Sequence, residues 1–269
     1  MRGGRPHERQ MLRISGLAAV QAVFERDPGR VERLLFEDRM KGEVARFCRI
    51  LAAERKPYRQ VDKAELARVS GTVLHGGVVA VARPRQVTDF APEMTQRWVR
   101  DGKPLLVLDR VGNPHNLGAI VRSAAFFGLD RVLLADHPEQ AMPSDASYRV
   151  AEGGFEHVDV FRAPLPSALD QLRQAYRVVG TALGRRAAPD RWIGGRPIAL
   201  VLGNEETGLG PATTAMCEEL ATIPGSGRVQ SLNVAAAAAI MIYLLTAPGH
   251  EEPRPMPGLD GVLRAGEPR

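Results

Sequence analysis

The apolar positions of this chain change their period along its length. Leu17, Val20 and Phe24 recur at helical spacing within Ile14–Phe24, until Asp27-Pro28-Gly29 breaks the pattern. Val31 to Glu37 alternates weakly, as a half-buried strand does, and Met40 to Arg55 returns to helical spacing. Tyr58 to Val61 reads as another short strand, and Asp62 caps a helix that runs through Val69. The β-branched run Gly76 to Ala82 then closes a small αβα-type unit over residues 11–83. Residues 84–103 are polar, contain Pro84 and Pro92, and read as a linker carrying a short helix. Beyond it the apolar positions fall into continuous runs at 104–109, 131–135, 177–181, 198–202 and 221–223. Helical segments at 116–127, 165–176 and 211–218 separate them, and an alanine-rich helix follows from Val234. Uninterrupted apolar strands alternating with helices predict an α/β domain over 104–247, with a parallel sheet covered on both faces.

Length agrees with two domains, since 269 residues exceed the usual size of one. Residues 1–10 read as a flexible basic tail, and 248–269, with five prolines among charges and glycines, as a disordered one. The longest apolar stretch, Val234 to Ala247, covers about 14 positions, short of the ~20 needed to span a bilayer. The basic N-terminus has no apolar core behind it, so no signal peptide is expected. Cys48 and Cys217 lie far apart and form no CxxC, as in a reduced, cytoplasmic protein. The six histidines show no HExxH spacing, and no metal is expected. A net charge of +5 and a pI near 9.6 favour a nucleic-acid partner through counterion release. Spread over the whole chain, that charge does not decide the matter.

Three loops follow three of the strands, where open α/β sheets bind ligands. They are Asp109 to Arg122, Leu202 to Gly210, and the stretch after Ala221 that leads into the last helix. No G-x-G-x-x-G, no Walker sequence and no G-x-S-x-G is present, which argues against the common nucleotide and acyl-transfer sites. Gly225 and Gly227 permit close backbone approach to a ligand, and Ser231 or Asn233 can N-cap the helix that holds Ala235 to Ala239. Alone, that stretch reads equally well as a ligand loop or as the lead-in to a buried helix.

Taken in order, Asn116-Leu-Gly-Ala-Ile-Val-Arg122, Leu202-Gly-Asn-Glu-Glu-Thr-Gly208 and Ile223-Pro…Gln230-Ser-Leu-Asn233 resemble the three motifs of the SpoU (TrmH-type) RNA 2′-O-ribose methyltransferases of the SPOUT superfamily. Ile14-Ser-Gly-Leu-Ala-Ala-Val20 and His75-Gly-Gly-Val-Val-Ala80 resemble the L30e-like substrate-binding domain of many such enzymes. The chain departs from the family in having Gly76 where Gln is common, and Leu244 after Tyr243 where many relatives carry an acid. The resemblance implies a parallel-sheet α/β-knot, a deep trefoil, with the L30e-like domain before it. It also implies a homodimer that transfers a methyl group from S-adenosylmethionine to a ribose 2′-hydroxyl of structured RNA, a guanosine of rRNA or a tRNA.

The same resemblance assigns residues. Leu202, Gly203, Asn204, Ile223 and Leu232 would grip the cofactor, with apolar side chains flanking the adenine and Gly203 leaving room for it. Arg122 would act on the 2′-hydroxyl, either as a base perturbed by the target's phosphate or as a clamp for phosphate and alkoxide. Asn116 would orient Arg122 or touch the ribose, unless it merely caps its helix, and Glu205 would form a network with Ser231 and Asn233. Arg110 and His115 would meet RNA phosphates. The competing readings are a catalytically idle RNA-binding relative and an unrelated doubly wound nucleotide-binding enzyme.

Overall fold

Residues 11–183 and 195–246 are described by the computed structural model. Both expected tails therefore lie outside the described residues. The first unit is a four-stranded sheet, β1 (Leu12–Ser15), β2 (Val31–Phe36), β3 (Tyr58–Gln60) and β4 (Val78–Ala82), with helices α1 (Leu17–Arg26), α2 (Lys41–Ala53) and α3 (Lys63–Ser70). Its order is β1-β4-β2-β3. β4 runs antiparallel to β1 and β2, whereas β3 lies parallel to β2. The amphipathic faces of α1 and α2 meet at Phe24 and Phe47, whose rings stack at 4.5 Å. Asp62 caps α3 as expected, its carboxylate accepting the Glu65 amide at 2.7 Å. The strand β1, ahead of α1, was not legible because it lasts only four residues before the helical pattern begins.

The second unit is a seven-stranded sheet in which every pairing is parallel. Its strands are β5 (Thr88–Asp89), β6 (Leu105–Asp109), β7 (Arg131–Ala135), β8 (Asp159–Ala163), β9 (Arg177–Thr181), β10 (Ile198–Gly203) and β11 (Glu219–Ala221). Their order is β11-β9-β10-β6-β7-β8-β5. The helices are α4 (Glu93–Trp98), α5 (Pro114–Phe126), α6 (Asp145–Ala151), α7 (Leu165–Leu172), α8 (Pro211–Met216) and α9 (Val234–Thr246). Every residue of β6 and β10 is buried, and separate apolar clusters cover the two faces, as continuous apolar runs in a parallel sheet require.

Two expectations need correction. Residues 84–103 are no free linker: β5 joins the sheet beside β8, and Trp98 is buried against Phe90 and Phe161 at 5.4 and 4.7 Å. Two aromatics scattered in a polar stretch set that packing, and they make no period. The segment between β7 and α7 holds α6 and β8, neither of which was expected. α6 is seven residues long and held by a capping box between Ser144 and Ser147, so its signal is local rather than periodic.

The two sheets share one core. A single apolar cluster runs from Ile14 and Val23 through Tyr148 and Phe155 to Leu117 and Met241. At the seam Gly153 faces α1 so closely that a Cβ would lie 2.9 Å from Ala22 Cβ. Arg30 of the first unit donates to Glu156 of the second at 3.2 and 3.0 Å, both side chains being buried. Removing either partner would leave an uncompensated buried charge, a loss of about 3–5 kcal/mol.

Candidate active site

β6 and β10 are neighbours in register, with Asp109 opposite Gly203, so the loops that leave their carboxyl ends start side by side. Asp109 is buried, and its carboxylate accepts the Gly210 amide at 3.0 Å and Arg110 Nε at 3.3 Å. The second loop folds back on itself: Asn204 and Gly208 exchange backbone hydrogen bonds of 3.1 and 2.9 Å. Asn204 Oδ1 accepts the Glu206 and Thr207 amides at 2.9 and 3.1 Å, and its Nδ2 donates to the Arg110 carbonyl at 2.9 Å. Gln140 bonds both the amide and the carbonyl of Val111, at 3.0 and 3.1 Å. The two loops thus form one hydrogen-bonded wall.

Gly203 is indispensable to that wall for a reason the motif does not give. A Cβ there would collide with the Gly208 carbonyl carbon and lie 2.5 Å from Leu209 N, so the loop's own backbone excludes a side chain. Arg110 is likewise bound into the wall. Its φ is 59°, its Nη2 donates to the Gly208 carbonyl at 3.3 Å, and its side chain is largely buried against Asp109. Leu202 points into the core with no exposure, leaving only its backbone to a ligand. Behind the wall, burial pushes the Cys217 thiol up to about 11, with Asp109 adding to the effect, which argues against a nucleophilic role.

The helix α5 starts on Asn113, whose side chain accepts the His115 amide at 2.9 Å, with Pro114 in the first turn. Asn116 is therefore free of capping. Its Nδ2 donates to Glu205 Oε1, and its Oδ1 accepts from Asn233 Nδ2 at 3.1 Å. Asn233 in turn caps α9, accepting the Ala235 amide at 2.9 Å. One side chain of the first motif bridges the second and third. Asn116 does not reach Arg122, because six residues place the two about 120° apart around the helix axis. Arg122 pairs instead with Glu152, Nη2 to Oε2, at 2.8 Å.

The third loop is open. Residues 224–233 are exposed, Ile223 is partly buried, and a Cβ at Gly225 or Gly227 would meet nothing within 4 Å. Ser231 lies here, exposed, without joining the Asn116 bridge, and Leu232 presents an apolar side chain that is 48% exposed. His115 is exposed at the start of α5, within reach of solvent. Sequence reasoning missed three supporting residues, Asp109, Gln140 and Glu152. Asp109 had a signal, an acid closing an otherwise apolar strand; Gln140 and Glu152 had none.

Residues 103–243 match the SpoU rRNA Methylase family, and residues 13–88 match the RNA 2′-O ribose methyltransferase substrate-binding family. The chain belongs to the SpoU family. It is 34% identical, over 86% of its length, to an uncharacterized tRNA/rRNA methyltransferase of Escherichia coli O157:H7, of which it covers 66%. It is 32% identical, over 85% of its length, to a 23S rRNA (guanosine-2′-O-)-methyltransferase of Acinetobacter baylyi, of which it covers 94%. Among solved structures, an AdoMet-bound rRNA methyltransferase from Sinorhizobium meliloti shares the fold at a TM-score of 0.72, with 24% identity over 90% of this chain and 89% of that one. The SpoU reading of the three motifs and of the first domain is thus borne out. Among the described residues no group of three or more His, Cys, Asp and Glu could hold a metal ion, and no helix is long and apolar enough to cross a membrane.

Proposed function

We propose that the cleft between the two loop walls transfers a methyl group from S-adenosylmethionine to a ribose 2′-hydroxyl of ribosomal or transfer RNA. The observation that carries this is the Asn116 bridge, which draws one residue from each of the three SpoU motifs to a single point. The open wall fits the cofactor. Ile223 and the half-exposed Leu232 offer apolar surface to an adenine, and Gly225 and Gly227 leave space beside them. When bound, S-adenosylmethionine supplies an electrophilic methyl group.

The chain's own work is positioning. Asn116, Glu205 and Asn233 hold α5, the second loop and α9 in fixed relation, and Ser231 stands exposed on the open loop beside them. Arg122 is an exposed guanidinium with a carboxylate partner, and guanidinium groups keep their protons at physiological pH. A clamp on the target's phosphate and on the developing alkoxide is therefore the role that its setting supports, ahead of general base. Arg110 is committed to the wall, so His115 is the nearer candidate for a phosphate contact.

Dimerisation is part of the proposal. α9 is apolar on every side, yet Ile240, Tyr243 and Leu244 are exposed, and Phe126 of the adjoining α5 is 76% exposed. A second copy would cover this face; the thin alanine side of α9, at Ala238, already meets its own core. In this reading the segment between β11 and α9 forms the trefoil knot, residues 11–83 carry the RNA-binding domain, and the protein works in the cytoplasm.

Calorimetry with S-adenosylmethionine tests the cofactor site, and no measurable binding would sink it. Arg122→Ala is expected to bind the cofactor normally and to lose methyl transfer onto RNA; full activity would remove Arg122 from the mechanism. A ribose-methylation map of total RNA, with and without the gene, names the target.

A further inference from the structure

We propose that Glu152 is an internal counter-anion, holding the Arg122 guanidinium in the RNA-free enzyme and yielding it to a backbone phosphate of the substrate. The inference rests on the reading of Arg122 as the phosphate clamp. Glu152 acts through Arg122 and is a positioning residue.

The pair itself is easily exchanged. The two side chains meet at 2.8 Å, with 55% and 54% of their surfaces open to water. Exposed ion pairs are weak. A phosphate offers the guanidinium acceptor oxygens in bidentate geometry and at higher charge, so it is the stronger partner.

The backbone under Glu152 gives the second argument. It closes α6 in the left-handed conformation, with φ 44° and ψ 46°, where glycine is the usual residue. Gly153 and Gly154 follow at once. A side chain at such a position is held against a conformational preference, and the carboxylate's only charged partner among the described residues is Arg122.

The third argument is that Glu152 stands on a rigid shelf. A Cβ on Gly153 would press against Ala22 of α1, and one on Gly154 would lie 3.2 Å from the Cα of Arg122. Two residues further on, Glu156 is locked to the buried Arg30. The carboxylate cannot retreat with its backbone, so the exchange proceeds by rotation of the long Arg122 side chain. RNA must then outcompete an anion already tethered beside the clamp, which disfavours phosphates presented in the wrong place.

The test is filter binding of in-vitro-transcribed 23S rRNA across a salt series, on wild type, Glu152→Gln, Arg122→Ala and the double variant. Glu152→Gln is expected to tighten binding by up to about fivefold, the ceiling for an exposed pair. It should also steepen the salt dependence by about one counterion. In the Arg122→Ala background the same change should do nothing. Glu152→Gly, which also relieves the backbone, should match Glu152→Gln in binding and unfold at higher temperature. Equal tightening in both backgrounds would mean a general charge effect, and unchanged or weaker binding would mean that Glu152 is no competitor; either overturns the proposal. Failure of the underlying reading shows elsewhere, as absent cofactor binding in wild type or full methyl transfer by Arg122→Ala.

Discussion

The loops of the candidate site form two walls built on opposite principles. The wall from β6 and β10 is tied at nearly every residue: Asp109, Asn204 and Gln140 each bond backbone groups of the neighbouring loop or of their own. The wall from residues 222–233 is exposed from Pro224 onward, carries two glycines, and is secured mainly where Asn233 caps α9. The first wall can move only by breaking several bonds together, whereas the second can shift at little cost. A site of this kind is preorganised on the side that fixes geometry and adaptable on the side that admits a ligand.

The largest expected effect comes from dismantling the tied wall. Asp109→Ala strands the Gly210 amide and leaves the largely buried Arg110 only the more distant, exposed Glu139 as a carboxylate partner, a loss of about 3 kcal/mol. The thermal midpoint should fall, and cofactor binding with it; a variant that unfolds like wild type would show that the wall is not held at Asp109. Next comes one substitution made on each side. Gly203→Ala forces a methyl into the Gly208–Leu209 backbone and should cost about 1–3 kcal/mol. Gly225→Ala meets open space at a φ that any residue adopts, so it should be neutral or slightly stabilising. Equal losses at the two glycines would erase the distinction between the walls.

Asn116→Ala sharpens the comparison, because Asn116 is where the walls are joined. It removes the bonds to Glu205 and Asn233 but leaves both the Asn113 cap and the Asn233 cap in place. Stability should fall by only about 1 kcal/mol. Methyl transfer should fall far more, as positioning is lost without unfolding. Parallel losses of stability and activity would make Asn116 merely structural.

The walls were unequally legible in the sequence. The strands beneath the tied wall announced themselves, since Leu105–Asp109 and Ile198–Gly203 are continuous apolar runs that only a doubly covered parallel sheet accommodates. The motif residues Asn116, Glu205 and Asn233 were found by resemblance and do meet. The partners of Arg122 were not found: a helix places residues six apart on different sides, and Glu152 comes from a separate, seven-residue helix with no periodic signal. The requirement for Gly203 was only half legible, because a glycine that makes room for a ligand and one that makes room for its own loop look alike in sequence. The small strand β5 and the packing of Trp98 depend on tertiary contacts that local pattern does not encode.

The smallest expected effect on stability, and the most direct probe of the open wall, is Ser231→Ala. Ser231 is exposed and lies outside the Asn116 bridge, while α9 keeps its cap through Asn233, so the folded chain loses almost nothing. A shift within about 0.5 kcal/mol is expected. The cofactor should report the difference. A ligand that binds only the folded state raises the thermal midpoint by mass action, so a weaker site gives a smaller rise at the same ligand concentration. Ser231→Ala should therefore melt like wild type when free, yet gain less from saturating S-adenosylmethionine. Gly225→Ala separates space from chemistry on the same wall, since it adds bulk and removes no polar group. Should both variants keep the full cofactor-dependent rise, the open wall is not the cofactor's side, and the tied wall would have to hold it alone. Its buried Leu202 and fully engaged Asn204 leave it little apart from backbone with which to do so.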